Sequence, residues 1–192
     1  MVAERPLAAG LAALLIGGAS PVAWALEIER GDFSYHDGRY DYTVIADLTA
    51  DIDTVRGIIN DYAGLARLND SFIDSAIEIE FADGSVQRRL LIKQCVLFFC
   101  FDLRLVERVT RPDADTTVTR IVPDLSSFKD GITTWTLNPV DGNHVRLTIT
   151  GSQAPDFWIP PLLGPLLLKS TFMREARETC EGIERLANSA IQ

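Results

Sequence analysis

Between Tyr40 and Leu48 the chain alternates. Tyr40, Tyr42, Val44, Ala46 and Leu48 share one face, while Asp41, Thr43 and Asp47 share the other, the two-residue period of a half-buried strand. The period then changes. Asp51 precedes Ile52, Val55, Ile58 and Ile59 at helical spacing, so a helix is expected to start at residues 49–51. Residues 62–69 predict a second short helix, broken at Gly64. After Asp70 nearly everything reads as strand. Ile77, Ile79 and Phe81 alternate with acids and end at an Asp83-Gly84 turn. Long runs follow over residues 86–96 and 101–109, then a β-branched run over residues 116–122. Residues 131–137 and 144–150 flank a loop built on Asn138-Pro139 and Asp141-Gly142. Residues 159–192 predict one long helix, with Leu162, Leu166, Met173, Ala176, Cys180, Ile183 and Ala187 as its buried stripe. Strand, two helices, six further strands and a last helix make an α+β fold, with the helices segregated to one face of an antiparallel sheet.

The stretch Lys93-Gln94-Cys95-Val96-Leu97-Phe98-Phe99-Cys100-Phe101-Asp102 has no turn residue to divide it. Its register divides it instead. If Cys95 faces Cys100 across a hairpin, Lys93 meets Asp102, Ile92 meets Leu103, Leu90 meets Leu105 and Arg88 meets Glu107. Opposite charges and apolar pairs then coincide, and such directly opposed pairs are the unit of sheet stability. A slip of one residue would put the apolar set on the wrong face. A hairpin is therefore expected, with residues 96–99 as an apolar four-residue loop and Cys95–Cys100 as a disulfide. Cys180, on the helix stripe, is expected to be an inert core thiol.

Composition narrows the setting. Residues 6–25 are apolar, follow Arg5 and end in Ala23-Trp24-Ala25, the pattern of a secretory signal peptide. Cleavage after Ala25 would deliver residues 26–192 to the periplasm or the exterior; the alternative is an uncleaved N-terminal membrane anchor. Residues 26–39 then read as a lead-in and residues 40–189 as one domain. The formal net charge of −9 argues against a nucleic-acid partner, whose phosphates require a basic face. No phosphate loop, dinucleotide fingerprint or metal-ligand spacing is present, so neither cofactor nor metal is expected. The only histidines are His36, before the first strand, and His144, at a hairpin turn, and both are expected to be solvated.

Several local motifs add to the element order. They are Phe128-Lys129-Asp130-Gly131 leading into Trp135-Thr136-Leu137-Asn138-Pro139, then Asp141-Gly142 and Val145, and Trp158-Ile159-Pro160-Pro161 before the last helix. Together they resemble the START-like, or SRPBCC, superfamily, which includes birch-pollen-allergen-like proteins, polyketide cyclases and coenzyme Q-binding proteins. The cyclase and coenzyme Q-binding group is the most similar; it is usually intracellular, and export departs from it. The resemblance implies a helix-grip fold, in which a seven-stranded antiparallel sheet wraps the long C-terminal helix. It also implies a deep cavity between sheet and helix that takes lipids, sterols, quinones or polyketides.

The inward face of such a sheet is read from the strands themselves. Tyr42, Val44, Leu90, Ile92, Leu103 and Leu105 share it with Arg88 and Glu107 at the same parity. Arg120 is expected to point inward beside Val118 and Val122. A buried charge must be paired or meet a ligand, so Arg88 and Glu107 either satisfy each other or serve a guest, and Arg120 is the candidate for a head group. Trp135, Leu166 and Met173 complete the expected ligand-binding set. The function expected is carriage of a hydrophobic small molecule, a lipid or lipid-like compound. The alternatives are a cyclase- or hydrolase-like enzyme using a cavity carboxylate, and an accessory protein that docks a membrane or partner through residues 96–99.

Overall fold

The structure is a computed structural model and describes residues 27–96, 99–159 and 164–189. Eight antiparallel strands form one sheet: β1 Glu27–His36, β2 Arg39–Leu48, β3 Phe72–Glu80, β4 Val86–Val96, β5 Phe99–Thr110, β6 Thr116–Ile121, β7 Phe128–Pro139 and β8 Val145–Pro155. Helix α1, Ile52–Asn60, leaves β2, and helix α2, Gly164–Ser189, ends the described chain. The spatial order is β1-β2-β8-β7-β6-β5-β4-β3, so β2 returns beside the last strand and the long α2 packs across the hollow of the sheet. This is the expected α+β helix-grip architecture with one strand more than expected.

The extra strand is β1, in the segment read as a lead-in. It pairs with β2 through an Asp37-Gly38 turn, where both residues have positive φ, 51° and 77°, the backbone that tight hairpins select. Its own alternation is broken by a register shift between Ile28 and Arg30. At residues 62–69 the expected helix shrinks to one 3-10 turn, Leu65–Arg67.

Elsewhere the local chemistry acts as expected. The Asp51 carboxylate caps α1 by accepting the Thr54 N–H at 2.9 Å, one of the donors a helix N-terminus leaves unpaired. Along β2, Tyr40, Tyr42, Val44, Ala46 and Leu48 are all buried. The β4–β5 register is the expected one, including Arg88 opposite Glu107, Leu90 opposite Leu105 and Cys95 opposite Cys100. Pairing continues one step further, Val96 to Phe99, so the expected four-residue loop narrows to residues 97 and 98, which lie outside the described residues. Cys95 and Cys100 form the disulfide, on the outer face of the hairpin, where both are exposed.

The core lies where α2 meets β2 and β8. Val44, Leu48, Leu147 and Ile183 are fully buried there, each contributing about 1.5–3 kcal/mol over exposure. Cys180 belongs to this core. Burial pushes its thiol up to about 12, which keeps it protonated and unreactive.

Candidate functional site

The far half of the sheet is not filled by α2. Between them lies a cavity of about 940 Å³, at the upper end of the range for ligand sites. One wall is the β4–β5 hairpin, through Leu90, Ile92, Leu103 and Leu105. Tyr42 and Val44 of β2 and Trp135 of β7 form the opposite wall, and Leu167, Leu168 and Phe172 of α2 close it. Tyr42 and Phe172 pack with ring centroids 4.3 Å apart. Trp158 also lines the cavity and is 79% exposed, so the space meets solvent beside it. Phe101 and Phe157, with centroids 6.0 Å apart, flank that opening.

Polar groups enter this apolar space in two bonded clusters. In the first, Arg88 donates from Nε and Nη2 to Glu107 Oε2 at 2.9 and 2.8 Å, and Thr119 donates to Glu107 Oε1 at 2.8 Å. The two charged side chains are only 8% and 4% exposed, and the Arg88 guanidinium also lies 5.5 Å from the Tyr62 ring centre. Both carboxylate oxygens are therefore occupied, and the paired charges answer each other as a buried ion pair must. In the second cluster, Gln153 bridges two tyrosines. Its Oε1 accepts from Tyr40, and its Nε2 donates to Thr133 Oγ1 at 3.2 Å and to Tyr42 Oη at 3.4 Å. Tyr42 Oη and Thr133 Oγ1 are 2.7 Å apart.

Burial raises the phenol pKa of Tyr40 and of Tyr42 well above the ordinary value of 10.0, with further contributions from the Glu107 charge. A group whose folded pKa is raised adds stability below its unfolded pKa and loses it as pH climbs toward the folded value. Stability is thus expected to fall above about pH 10. Tyrosinate absorbance and far-ultraviolet circular dichroism followed together should show Tyr40 and Tyr42 ionising only as the fold is lost. Ionisation of every phenol near pH 10 in a folded chain would contradict the two buried positions.

Of the side chains expected at the site, Tyr42, Val44, Arg88, Leu90, Ile92, Leu103, Leu105, Glu107 and Trp135 all line the cavity. Three do not. Arg120 is exposed on the outer face of β6, because Thr117, Thr119 and Ile121 are the inward residues of that strand. Leu166 is 70% exposed, while its neighbours Leu167 and Leu168 reach the cavity. Met173 turns instead to β1: a Cβ added at Gly31 would come within 2.1 Å of its Cε. Leu162 lies outside the described residues. Sequence reasoning passed over Gln94, Thr119, Thr133 and Gln153. The signal for Gln94 was present, since it continues the Arg88, Leu90, Ile92 parity of β4. Among the described residues no group of three His, Cys, Asp or Glu side chains is placed to hold a metal ion.

No family model matches the chain, and no curated protein does. Solved structures do. A START superfamily protein from Mycobacterium smegmatis superimposes with a TM-score of 0.63 at 15% identity, over 78% of this chain and 98% of that one. An aromatase/cyclase from Streptomyces superimposes with a TM-score of 0.64 at 13% identity, over 80% of this chain and 96% of that one. The chain therefore has the START-like, helix-grip fold.

Proposed function

We propose that this chain is a binding and carrier protein for a hydrophobic small molecule, a lipid or lipid-like compound, held between the sheet and α2. The observation that carries the reading is the cavity of about 940 Å³ with largely apolar walls. Moving a guest's apolar surface out of water contributes about 0.8 kcal/mol per buried methylene, and a preformed hollow spares the protein the work of opening one. The two bonded clusters stiffen the walls without presenting a nucleophile.

An enzyme of the cyclase kind is the second reading, favoured by the shared fold with the Streptomyces aromatase/cyclase. The two carboxylates it could use, Glu107 and Asp102, both line the cavity, and Glu107 already has both oxygens engaged by Arg88 and Thr119, which weighs against it as the base. Around the opening, Trp158 and Phe101 expose apolar surface at 79% and 39%. Contiguous exposed apolar surface on a protein commonly marks a contact site, and this rim is suited to touch a membrane while a guest passes. The leader-like residues 6–25 and the solvent-facing Cys95–Cys100 bond suit work outside the cytoplasm, where disulfides persist.

The test is native mass spectrometry of the chain purified without detergent, followed by organic extraction. A mass adduct that extraction removes, and that re-forms on adding the extract, is the expected result. A bare mass throughout, together with failure to take up a neutral fluorescent apolar probe, would overturn the reading.

A further inference from the structure

Gln94 belongs to neither bonded cluster. It sits on β4 opposite Phe101, lines the cavity and is 7% exposed. Its Oε1 is buried and accepts no hydrogen bond among the described residues, the only such side-chain atom found there. A buried acceptor without a partner is costly and rare in native proteins, so a group that faces a ligand cavity in this state is a vacant recognition element. Its surroundings along the strand are apolar: Ile92 and Leu90 precede it on the same face.

The charges of the wall restrict what can meet it. Among the described lining residues Arg88 is the only cation, against Asp102, Glu107, Asp156 and Glu175. Arg88 is already committed to Glu107. A carboxylate guest would find acids and no available cation, and it has no proton to give the amide oxygen. An ester or ketone is neutral but has none to give either. A hydroxyl donates and accepts, so it satisfies this amide whichever way its oxygen and nitrogen are turned.

We infer that Gln94 is the specificity-determining residue of the cavity and selects neutral hydroxylated apolar molecules, of the long-chain alcohol type, over carboxylates and esters of the same length. The inference rests on the binding function proposed above. A site built around a buried polar group rejects analogues that leave it unpaired.

The experiment displaces bound N-phenylnaphthylamine, a neutral apolar fluorophore, with dodecanol, dodecanoate or methyl dodecanoate. It uses the wild-type chain and Gln94→Met, which keeps the side chain's length and removes the amide. In the wild type dodecanol should displace the probe at roughly 2- to 10-fold lower concentration than the methyl ester, the size of one hydrogen bond, with dodecanoate weaker than dodecanol. Gln94→Met should lose the preference for the alcohol over the ester, read as the ratio of the two displacing concentrations, which does not depend on how tightly the variant holds the probe. An unchanged alcohol-to-ester ratio in Gln94→Met would overturn the inference. So would equal displacement by all three compounds, or preference for dodecanoate, in the wild type, and this arm needs no variant to fold. Probe binding without hydroxyl preference sinks this inference alone; no binding of probe or competitors sinks the binding function with it.

Discussion

Glu107→Leu is expected to lower the unfolding free energy by about 3–5 kcal/mol, the cost of stranding one member of a buried ion pair. Arg88 would lose the acceptor of both its Nε and Nη2 hydrogens in a position where its side chain is 8% exposed. Thr119, 1% exposed, would lose the acceptor of its hydroxyl as well. The companion variant, Arg88→Met with Glu107→Leu, should recover most of that loss, since well-packed apolar replacements of a buried pair are often neutral or stabilising. Urea unfolding of wild type, single and double variants measures both effects through the midpoint, provided the slope is unchanged. A single variant within about 1 kcal/mol of wild type would mean that solvent reaches the pair. The double variant also separates structure from binding. If the pair only supports the wall, the double variant still takes up an apolar probe.

Gln94 stands three inward positions from Arg88 along β4, yet their roles differ because their bonding differs. Arg88 and Glu107 answer each other across the strand boundary, so the charges need no guest. Gln94 faces Phe101, which offers an amide nothing. One consequence is that Gln94 is held at some expense to the empty fold, the usual trade between stability and function at a site.

The same β4–β5 hairpin was legible in the chain because each of its pairs is informative. A single register brings charge to charge and leucine to leucine, and the observed pairing is that one. The β6 strand was not, because threonine packs on either face of a sheet. Reading Val118 and Val122 as inward placed Arg120 inward too, whereas Thr119 faces in to reach Glu107. The N-terminal half of α2 failed for a related reason. Its leucine run satisfies any helical phase, and the stripe set by Cys180, Ile183 and Ala187 does not extrapolate back to Leu166. Met173 was misplaced because its neighbour, Gly31, belongs to the strand that polar residues and a register shift concealed. In β8 the strand outruns the expected end at Thr150, since Gly151 does not break it but makes room for the Tyr42 ring, whose Cζ would be 2.3 Å from an added Cβ.

Gly182→Ala is expected to destabilise the protein by about 1–3 kcal/mol, the usual cost of overpacking, although helix propensity alone argues for a gain of about 1 kcal/mol. The two effects have opposite sign, and the contact decides between them. A Cβ at residue 182 would lie 1.9 Å from the carbonyl oxygen of Leu68 and 2.6 Å from its carbon, and a backbone carbonyl cannot swing aside as a side-chain tip can. The turn that carries it is fixed on its own account by the Leu68 N–H donating to the Leu65 carbonyl at 3.0 Å. It is also tied to α2 on both sides of Gly182. Asn69 Nδ2 donates to the Glu175 carbonyl at 3.1 Å, and Arg185 Nη2 donates to the Arg67 carbonyl at 3.0 Å. Helix and turn must therefore separate to admit one methyl group, and the roof of the cavity moves with the helix. Gly57 in α1 supplies the control, because nothing lies within 4 Å of a Cβ built there. Gly57→Ala should raise the melting temperature while Gly182→Ala lowers it. A rise in both would show that α2 does not press on Leu68, and with it that the helix is not held where it closes the cavity.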